Sequence, residues 1–228
     1  MIKAALFDLD GVVFETESQY SIFWGMIGRE YHPEIPDFEY RIKGQTLVQI
    51  YDKYFSEDSV FAHIKGYTDA KSEQDKITTR LNEFEKNMSY PYITGFEDFI
   101  KDLKQNGVKC AVVTSSNVQK MQNVYRQHPE FKGYFDRVLT SEDFAKSKPD
   151  PDCYLKGAGC FDAKLEECVG LEDSFNGLKA VRAAGAFTLG LSTTNSKESI
   201  EPYSDYVIAD YSGFTFADLV KVVEENKK

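Results

Sequence analysis

Short apolar runs alternate with helix-forming patterns along most of this chain, and this alternation is the feature that most constrains its fold. One run opens the chain with the sequence AALFD, at residues 4–8. The five later runs are VKCAVV (108–113), YFDRVL (134–139), ECVGL (167–171), AFTLGL (186–191) and DYVIA (205–209). Strands that alternate with helices form parallel sheets with helices on both faces. We therefore predict an α/β fold with a doubly wound parallel sheet.

Residues 14–91 interrupt this alternation. They contain no convincing apolar strand, are rich in aromatic residues, and show apolar residues at helical spacing. We therefore predict a small all-helical domain at 14–91, inserted after the first strand. The sheet domain would then consist of residues 1–13 and 92–228.

Charge and composition argue against several classes of partner. The 228 residues are 42% hydrophobic and 28% charged, with a formal net charge of −10. Such an acidic surplus argues against binding to nucleic acid or to an anionic membrane surface. No apolar run approaches the roughly 20 residues that span a bilayer, and no segment resembles a signal peptide. We expect a cytoplasmic protein with no obligate protein partner implied.

The cysteine and histidine residues give no sign of a structural metal site. The four cysteines form no CxxC pair, and the three histidines are widely scattered. Zinc sites normally show closely spaced pairs of these residues. Reduced thiols are therefore the simplest interpretation.

The stretch LFDLDG places two carboxylates directly after the first apolar run. Residues two apart in a strand point the same way, so Asp8 and Asp10 would project together where open α/β sheets bind ligands. Two carboxylates this close favour a neutralising cation, and Mg²⁺ prefers oxygen ligands. Gly11 allows a sharp turn and a close approach of a ligand to the backbone. The structural alternative is a loop with two solvated acidic side chains.

Hydroxyl groups and a lysine follow two other parts of the predicted sheet. The segment VVTSSN supplies Thr114, Ser115 and Ser116, whose hydroxyls suit phosphate oxygens; such residues also serve as helix caps. The segment SKPDPDCY supplies Lys148, a compact cation suited to phosphate. The alternative for Lys148 is a solvated surface residue.

A second pair of carboxylates, Glu172 and Asp173, ends the strand in VGLEDSFNG. Acidic residues at this point can also stabilise the start of the following helix. All four polar groups nevertheless fall at strand ends or just before a helix, in the part of the fold where ligands bind. Their combination predicts one site for a cation and a phosphoryl group.

These motifs, in this order and spacing, resemble the four signature motifs of the haloacid dehalogenase-like superfamily of phosphotransferases. Through DLDGVVFETE, SKPDPDCY and GLEDSFNGLKAVRAAG, the chain looks most like the β-phosphoglucomutase-like phosphatase branch. The resemblance covers nearly the whole chain. It implies a Rossmann-like catalytic core with a helical cap domain inserted after the first motif.

The resemblance also implies roles for four residues. Asp8 would be a nucleophile that accepts the phosphoryl group as an aspartyl-phosphate. Asp10 would protonate the leaving alcohol and then activate water. Thr114 would bind a phosphoryl oxygen, and Lys148 would neutralise the phosphate and orient Asp8. These residue types are consistent with covalent and acid–base catalysis.

The same resemblance implies Mg²⁺ as the cofactor. The predicted metal ligands are Asp8, the backbone carbonyl of Asp10, Glu172 and Asp173. The predicted phosphate-binding residues, besides Thr114 and Lys148, are Gly11, Ser115 and Ser116. The predicted contacts of the cap with the substrate are Thr16, Lys43, Gly44, Gln45 and Thr46.

The cap sequence departs from the pattern of a true mutase. Tyr20 or Gln19 stands where that pattern has a histidine, and Leu47 stands where it has an arginine. Arg80 or Lys43 would have to replace the arginine. We therefore predict a phosphatase that acts on a small phosphorylated metabolite, a sugar phosphate by family analogy, with β-phosphoglucomutase activity as the alternative.

Two non-enzymatic alternatives carry similar residues. A phosphoacceptor receiver domain also uses carboxylates, a hydroxyl and a lysine at strand ends, but it is much shorter than this chain and typically has no inserted helical domain. A binding protein on the same scaffold would not need every catalytic position, and all of them are intact here.

Overall fold

The computed structural model describes residues 2–43 and 45–226, which form two compact units. The described residues up to Thr16 and from Tyr90 onward form the sheet unit, and Glu17–Ser89 form the helical unit. The predicted boundaries followed residues 13 and 91. The first observed boundary lies three residues later, after Thr16, and the second lies two residues earlier, after Ser89. The reason is local pairing, because Phe14 forms isolated bridges with Asp10 and Tyr92.

The sheet unit contains six parallel strands. The strands are β1 (Ala4–Phe7), β2 (Lys109–Val113), β3 (Arg137–Leu139), β4 (Cys168–Glu172), β5 (Phe187–Leu191) and β6 (Tyr206–Ile208). Their spatial order is β3-β2-β1-β4-β5-β6, which is a doubly wound arrangement. Each predicted apolar run overlaps one strand, and the predicted α/β fold is confirmed.

The other regular elements of the described residues are helices. The helical unit contains α1 (Glu17–Tyr31), α2 (Phe38–Arg41), α3 (Leu47–Tyr54) and α4 (Ala70–Asn87). The sheet unit contains α5 (Phe96–Gln105), α6 (Val118–Gln127), α7 (Phe131–Tyr134), α8 (Asp152–Gly159), α9 (Phe175–Ala184), α10 (Lys197–Ile200) and α11 (Phe216–Asn226). Three 3₁₀ turns lie at Ser141–Asp143, Leu165–Glu167 and Glu201–Tyr203. The described part of the helical unit contains no strand.

Apolar layers cover both faces of the sheet. On one face, Leu6 of β1 belongs to a buried cluster with Tyr154 of α8 and Val181 of α9. On the other face, the ring of Phe7 packs against Phe96 of α5, with 6.1 Å between ring centroids. Because successive strand residues point to opposite faces, a strand covered on both faces is apolar throughout. This is why the strands appear in the sequence as continuous apolar runs.

The order of the strands brings the predicted motifs to one edge of the sheet. β1 lies between β2 and β4, with Phe7 opposite Leu171 of β4. The backbone N–H of Asp8 donates to the Leu171 carbonyl at 3.0 Å. β2 ends at Val113, so Thr114 follows it at the same edge. The chain runs outward from β1 through β2 to β3 on one side of the sheet and from β4 through β5 to β6 on the other, so the strand order reverses between β1 and β4. Doubly wound folds bind ligands at such a reversal.

Aromatic side chains form the core of the helical unit. Phe38, Phe55 and Phe61 are buried there. The His32 ring stacks on Phe38 with 5.3 Å between ring centroids. Considering both units within residues 2–43 and 45–226, no helix is long and apolar enough to cross a membrane.

Gly170 of β4 leaves room for Val181 of α9. A Cβ atom at Gly170 would lie 2.5 Å and 2.6 Å from the two Cγ atoms of Val181. We expect Gly170→Ala to lower the free energy of unfolding by about 1–3 kcal/mol through overpacking. Urea denaturation followed by circular dichroism measures this change.

Gly159→Ala at the end of α8 is the matched control. Apart from its chain neighbours and the nearby backbone of its own helix, no described atom lies within 4 Å of a Cβ placed there, so we expect a change within about 0.5 kcal/mol. Adding Val181→Ala to Gly170→Ala should recover part of the loss, because the smaller side chain makes room. Strictly additive losses would contradict this account of the packing.

Candidate active site

Lys148 joins two carboxylates at the carboxyl edge of the sheet. Its side chain is almost fully buried, with Nζ 2.7 Å from Asp8 Oδ1 and 2.6 Å from Glu172 Oε1. Glu172 also accepts a hydrogen bond of 2.7 Å from the hydroxyl of Tyr154. Burial acts to lower the pKa of Lys148, but the two carboxylates raise it above its ordinary value. Lys148 is therefore a fixed cation.

Of the carboxylates Asp8, Glu172 and Asp173, Asp8 is the one that remains partly accessible to solvent. Its side chain is 14% exposed, whereas Glu172 and Asp173 are buried. Burial raises the pKa of Asp8 to about 7, an effect that Lys148 opposes and Glu172 reinforces. A further cation beside Asp8 would favour the ionised form.

Asp10 is held by three side chains from two parts of the chain. Lys120 Nζ lies 2.5 Å from Oδ1 and 2.6 Å from Oδ2. The hydroxyl of Thr16 donates to Oδ1 at 2.5 Å, and the hydroxyl of Ser116 donates to Oδ2 at 3.0 Å. Burial acts to raise the pKa of Asp10, but Lys120 and the hydrogen bonds bring it below its ordinary value. Asp10 is thus a carboxylate of fixed orientation.

Thr16 differs from its predicted placement. It was expected to contact the substrate from the cap, but it belongs to the sheet unit and is fully buried. The pairing of Phe14 with Tyr92 extends the sheet unit beyond the predicted boundary. The hydroxyl of Thr16 is consequently available to Asp10 within the same unit.

Three carboxylates form a cluster of oxygen ligands. One oxygen each of Asp8, Glu172 and Asp173 lies within 4.8 Å of the others. The Asp10 carboxylate binds Lys120, which leaves its backbone carbonyl as the predicted ligand. With these four carboxylates ionised against Lys148 and Lys120, a formal charge of −2 remains. A hard divalent cation such as Mg²⁺ fits this donor set and this charge.

The hydroxyl groups after β2 have different environments. Thr114 is buried, and its Oγ1 accepts a hydrogen bond of 3.0 Å from the Ser116 backbone N–H. This contact fixes the oxygen while the hydroxyl hydrogen can still rotate towards a ligand. Ser115 is exposed, whereas the side chain of Ser116 binds Asp10. Thr114 and Ser115 therefore fit the predicted phosphate contact better than Ser116.

The loop after β5 connects the first and fourth motifs. The hydroxyl of Thr193 donates to the Gly11 carbonyl at 2.5 Å, and the amide of Asn195 donates to the Asp173 carbonyl at 2.9 Å. The hydroxyl of Thr194 donates to the Asp173 carboxylate. Gly11 has φ +72°, and a Cβ atom there would overlap this carboxylate. Gly11 is thus required where the two motifs meet.

Sequence reasoning missed Lys120 and the segment 193–195. The segment follows the fifth predicted strand, so the same positional rule that selected the other motifs could have identified it. Lys120 carries no such signal. It lies within the helical segment VQKMQNVYRQ, where a lysine is ordinarily solvated.

Three of the other predicted cap contacts, Lys43, Gln45 and Thr46, lie between α2 and α3. Thr46 caps α3, because its hydroxyl accepts from the Gln49 backbone N–H at 3.3 Å and its own N–H donates to the Gln49 side chain at 2.8 Å. The Gln45 side chain donates to a backbone carbonyl of α2, and Lys43 is half-buried. Gly44 lies outside the described residues. The contact of these residues with a substrate stays a prediction.

Fold and site together define the class of protein. The parallel sheet places a carboxylate pair after β1, hydroxyls after β2 and carboxylates at the end of β4, with Lys148 bound between them. A sequence model described as haloacid dehalogenase-like hydrolase matches residues 2–185. The chain therefore belongs to the haloacid dehalogenase-like hydrolases and is an enzyme. The predicted family membership is confirmed.

Curated relatives and solved structures agree with this assignment. The chain is 27% identical over 200 residues to β-phosphoglucomutase from Bacillus subtilis (strain 168), covering 83% of each chain. It is 22% identical over 203 residues to validoxylamine A 7'-phosphate phosphatase from Streptomyces hygroscopicus subsp. limoneus, covering 88% of this chain and 90% of the relative. A haloacid dehalogenase hydrolase of family IA from Entamoeba histolytica superposes with a TM-score of 0.81 at 19% identity, covering 98% of this chain and 100% of that chain. This last likeness establishes the shared fold.

Thr194→Val removes the hydroxyl that orients the Asp173 carboxylate while keeping the volume of the side chain. We expect the affinity for Mg²⁺ to fall by about ten- to a hundredfold, as it does when groups that orient metal ligands are lost. Isothermal titration calorimetry with Mg²⁺ measures the affinity without any substrate. Thr194→Ser keeps the hydroxyl and should keep most of the affinity. Equal Mg²⁺ affinity in Thr194→Val and the unmodified protein would disprove the orienting role.

Proposed function

We propose that this protein is a magnesium-dependent phosphatase that hydrolyses a small phosphorylated metabolite through an aspartyl-phosphate on Asp8. The observation that carries the proposal is the buried contact of Lys148 with Asp8 beside a cluster of three carboxylates. A nucleophile must reach its substrate, and Asp8 retains exposure while the other two carboxylates are buried. Its position after β1 also supports this choice.

Two successive transfers make up the reaction. The cycle starts with Asp10 protonated, so the Asp10 carboxylate has to take up one proton from solvent before the first transfer. In that transfer, an oxygen of Asp8 attacks phosphorus, the bond from phosphorus to the leaving oxygen breaks, and Asp10 gives its proton to that oxygen. In the second, Asp10 takes a proton from water as the water oxygen attacks phosphorus, and the bond from phosphorus to Asp8 breaks. Covalent catalysis divides one difficult displacement into two easier steps, and Asp10 returns to its starting protonation state.

Charge neutralisation supplies the rest of the catalysis. Lys148 would meet a phosphoryl oxygen next to Asp8, and the hydroxyl of Thr114 would donate to another. Asp8, Glu172 and Asp173, with the backbone carbonyl of Asp10, would hold Mg²⁺. When bound, this ion stabilises the negative charge on the phosphoryl oxygens.

Sugar phosphates are the substrate class that we propose. Two relatives are named β-phosphoglucomutase and validoxylamine A 7'-phosphate phosphatase, and both names refer to small phosphorylated or phosphate-accepting molecules. These names support sugar phosphates as the first compounds to test.

β-Phosphoglucomutase activity is the second candidate, because one relative carries that name. The helical unit supports the phosphatase instead. Leu47 stands where the mutase pattern has an arginine, and Arg80, a possible replacement, pairs with Glu30 at 2.8 Å. Tyr20, one of two residues that align with the mutase histidine, donates to Glu85 at 2.7 Å.

The cytoplasm is the compartment that we propose, with no obligate protein partner. The four cysteines are free thiols, and Cys110, Cys153 and Cys168 are buried. Unpaired cysteines suit a reducing compartment.

Asp8→Asn tests the nucleophile, because an amide cannot form the acyl phosphate. We expect phosphate release in the presence of Mg²⁺ to fall by about 10³–10⁶-fold, the range for loss of a catalytic nucleophile. Asp162→Asn is the control, since Asp162 is exposed with φ 48°, a conformation that asparagine accepts. Substantial turnover by purified Asp8→Asn would exclude the covalent mechanism.

A parallel assay with Mg²⁺ separates the two candidate functions. One arm follows phosphate release from a panel of phosphorylated metabolites, led by sugar phosphates. The other follows conversion of β-glucose 1-phosphate to glucose 6-phosphate with the bisphosphate primer present. We expect release without isomerisation, because the arginine of the mutase pattern is missing. Efficient isomerisation would assign the protein as a mutase.

A further inference from the structure

Lys120 is a buried lysine to which the reaction scheme gives no role. It is the third residue of α6, and it is 3% exposed. Its ammonium group lies 2.5 Å and 2.6 Å from the two oxygens of Asp10, which is 110 positions away in the chain. Burying an ammonium group is costly unless it is paired. The contact with Asp10 is therefore a specific feature of the site.

The contacts of Asp10 occupy its acceptor positions. A carboxylate has about four such positions on its two oxygens. Thr16 and Ser116 each take one, and Lys120 contacts both oxygens. A proton can pass between Asp10 and a reactant only if one of these contacts is exchanged for the reactant. The hydroxyl contacts exchange more readily, because a neutral hydroxyl lacks the Coulombic attraction that the ammonium group exerts on the carboxylate.

We propose that Lys120 is a positioning residue for Asp10. Its ammonium group holds the carboxylate in place while a hydroxyl contact is exchanged for the leaving oxygen or the attacking water. The inference rests on the proposed function, in which Asp10 carries the proton. Lys120 acts through Asp10 and does not have to touch the substrate.

The start of α6 explains how Lys120 reaches this position. Asn117 caps the helix by accepting from the Lys120 backbone N–H at 2.9 Å. Ser116 directly precedes this cap and binds the same carboxylate as Lys120. The connection after β2 therefore delivers two of the three donors to Asp10. The third, Thr16, comes from the segment after β1.

A double-mutant cycle tests this role. The four proteins are the unmodified enzyme, Lys120→Met, Asp10→Asn and the double variant, assayed with the best sugar phosphate of the panel. We expect Lys120→Met to lower kcat by about ten- to a hundredfold, a part of the 10²–10⁴-fold that a positioned proton carrier contributes. KM should change little. In the Asp10→Asn background, Lys120→Met should cause no further loss, because the group that it positions no longer carries a proton.

Two further variants separate positioning from folding and from general charge effects. Lys120→Gln keeps one donor for one carboxylate oxygen, so its kcat should lie between those of the unmodified enzyme and Lys120→Met. Lys179→Met removes an exposed lysine of α9 and should leave kcat unchanged. Thermal unfolding of each variant identifies any loss of folded protein before the rates are compared.

Several results would overturn the inference. Equal losses of kcat in both backgrounds would mean that Lys120 acts independently of Asp10. A large rise in KM with unchanged kcat would mean that it binds the substrate. Unchanged kinetics in Lys120→Met would mean that it has no role. If the unmodified protein releases no phosphate from any compound, the proposed function fails and this inference fails with it. If the unmodified protein is active but Lys120→Met causes the same loss of kcat in both backgrounds, only this inference is rejected.

Discussion

The ammonium group of Lys148 lies 2.7 Å from Asp8 and 2.6 Å from Glu172, and three segments of the chain are fixed by these contacts. β1 delivers Asp8, β4 delivers Glu172, and the segment before α8 delivers Lys148. None of these charges could be buried alone without a large cost in desolvation. The neighbouring positions of β1 and β4 in the sheet bring the two carboxylates together. The ammonium group of Lys148 offsets the repulsion between their negative charges.

A second lysine gives the two carboxylates of the first motif different environments. Burial raises the pKa of Asp8 to about 7. Burial also acts to raise the pKa of Asp10, but Lys120 and the hydrogen bonds from Thr16 and Ser116 bring it below its ordinary value. A cation beside Asp8 would favour the ionised form that a nucleophile requires. In the reaction that we propose, the contact of Asp10 with Lys120 favours the carboxylate form, which accepts a proton from water in the second transfer. Neighbouring acids in unlike environments are typical of acid–base catalysis.

The sequence was sufficient for features that depend on local pattern. The four inner strands, β1, β2, β4 and β5, were apolar runs because both faces of the sheet are covered there, whereas β3 and β6 at the edges are partly exposed. Asp8, Thr114 and Asp173 followed strands at the predicted edge. Lys120 could not be found this way, since its partner lies 110 positions away and the helical pattern around it is that of a surface lysine. The local pattern did not show that Thr16 lies in the sheet unit, because the bridge between Phe14 and Tyr92 is a long-range pairing; its contact with a substrate stays a prediction. Thr194 follows the fifth predicted strand, so its place at this edge of the sheet could have been predicted. Its contact with Asp173 could not, because that contact depends on the conformation of the loop.

Chemical trapping of the phosphorylated enzyme tests the central claim most directly. The protein is mixed with Mg²⁺ and a sugar phosphate that it hydrolyses, quenched in acid, and treated with borohydride, which reduces an acyl phosphate to an alcohol. Peptide mass spectrometry then locates the product. The account predicts homoserine at position 8, and only when substrate is present. Substrate-dependent turnover with Asp8 unmodified, or with the modification at Asp10 instead, would contradict it.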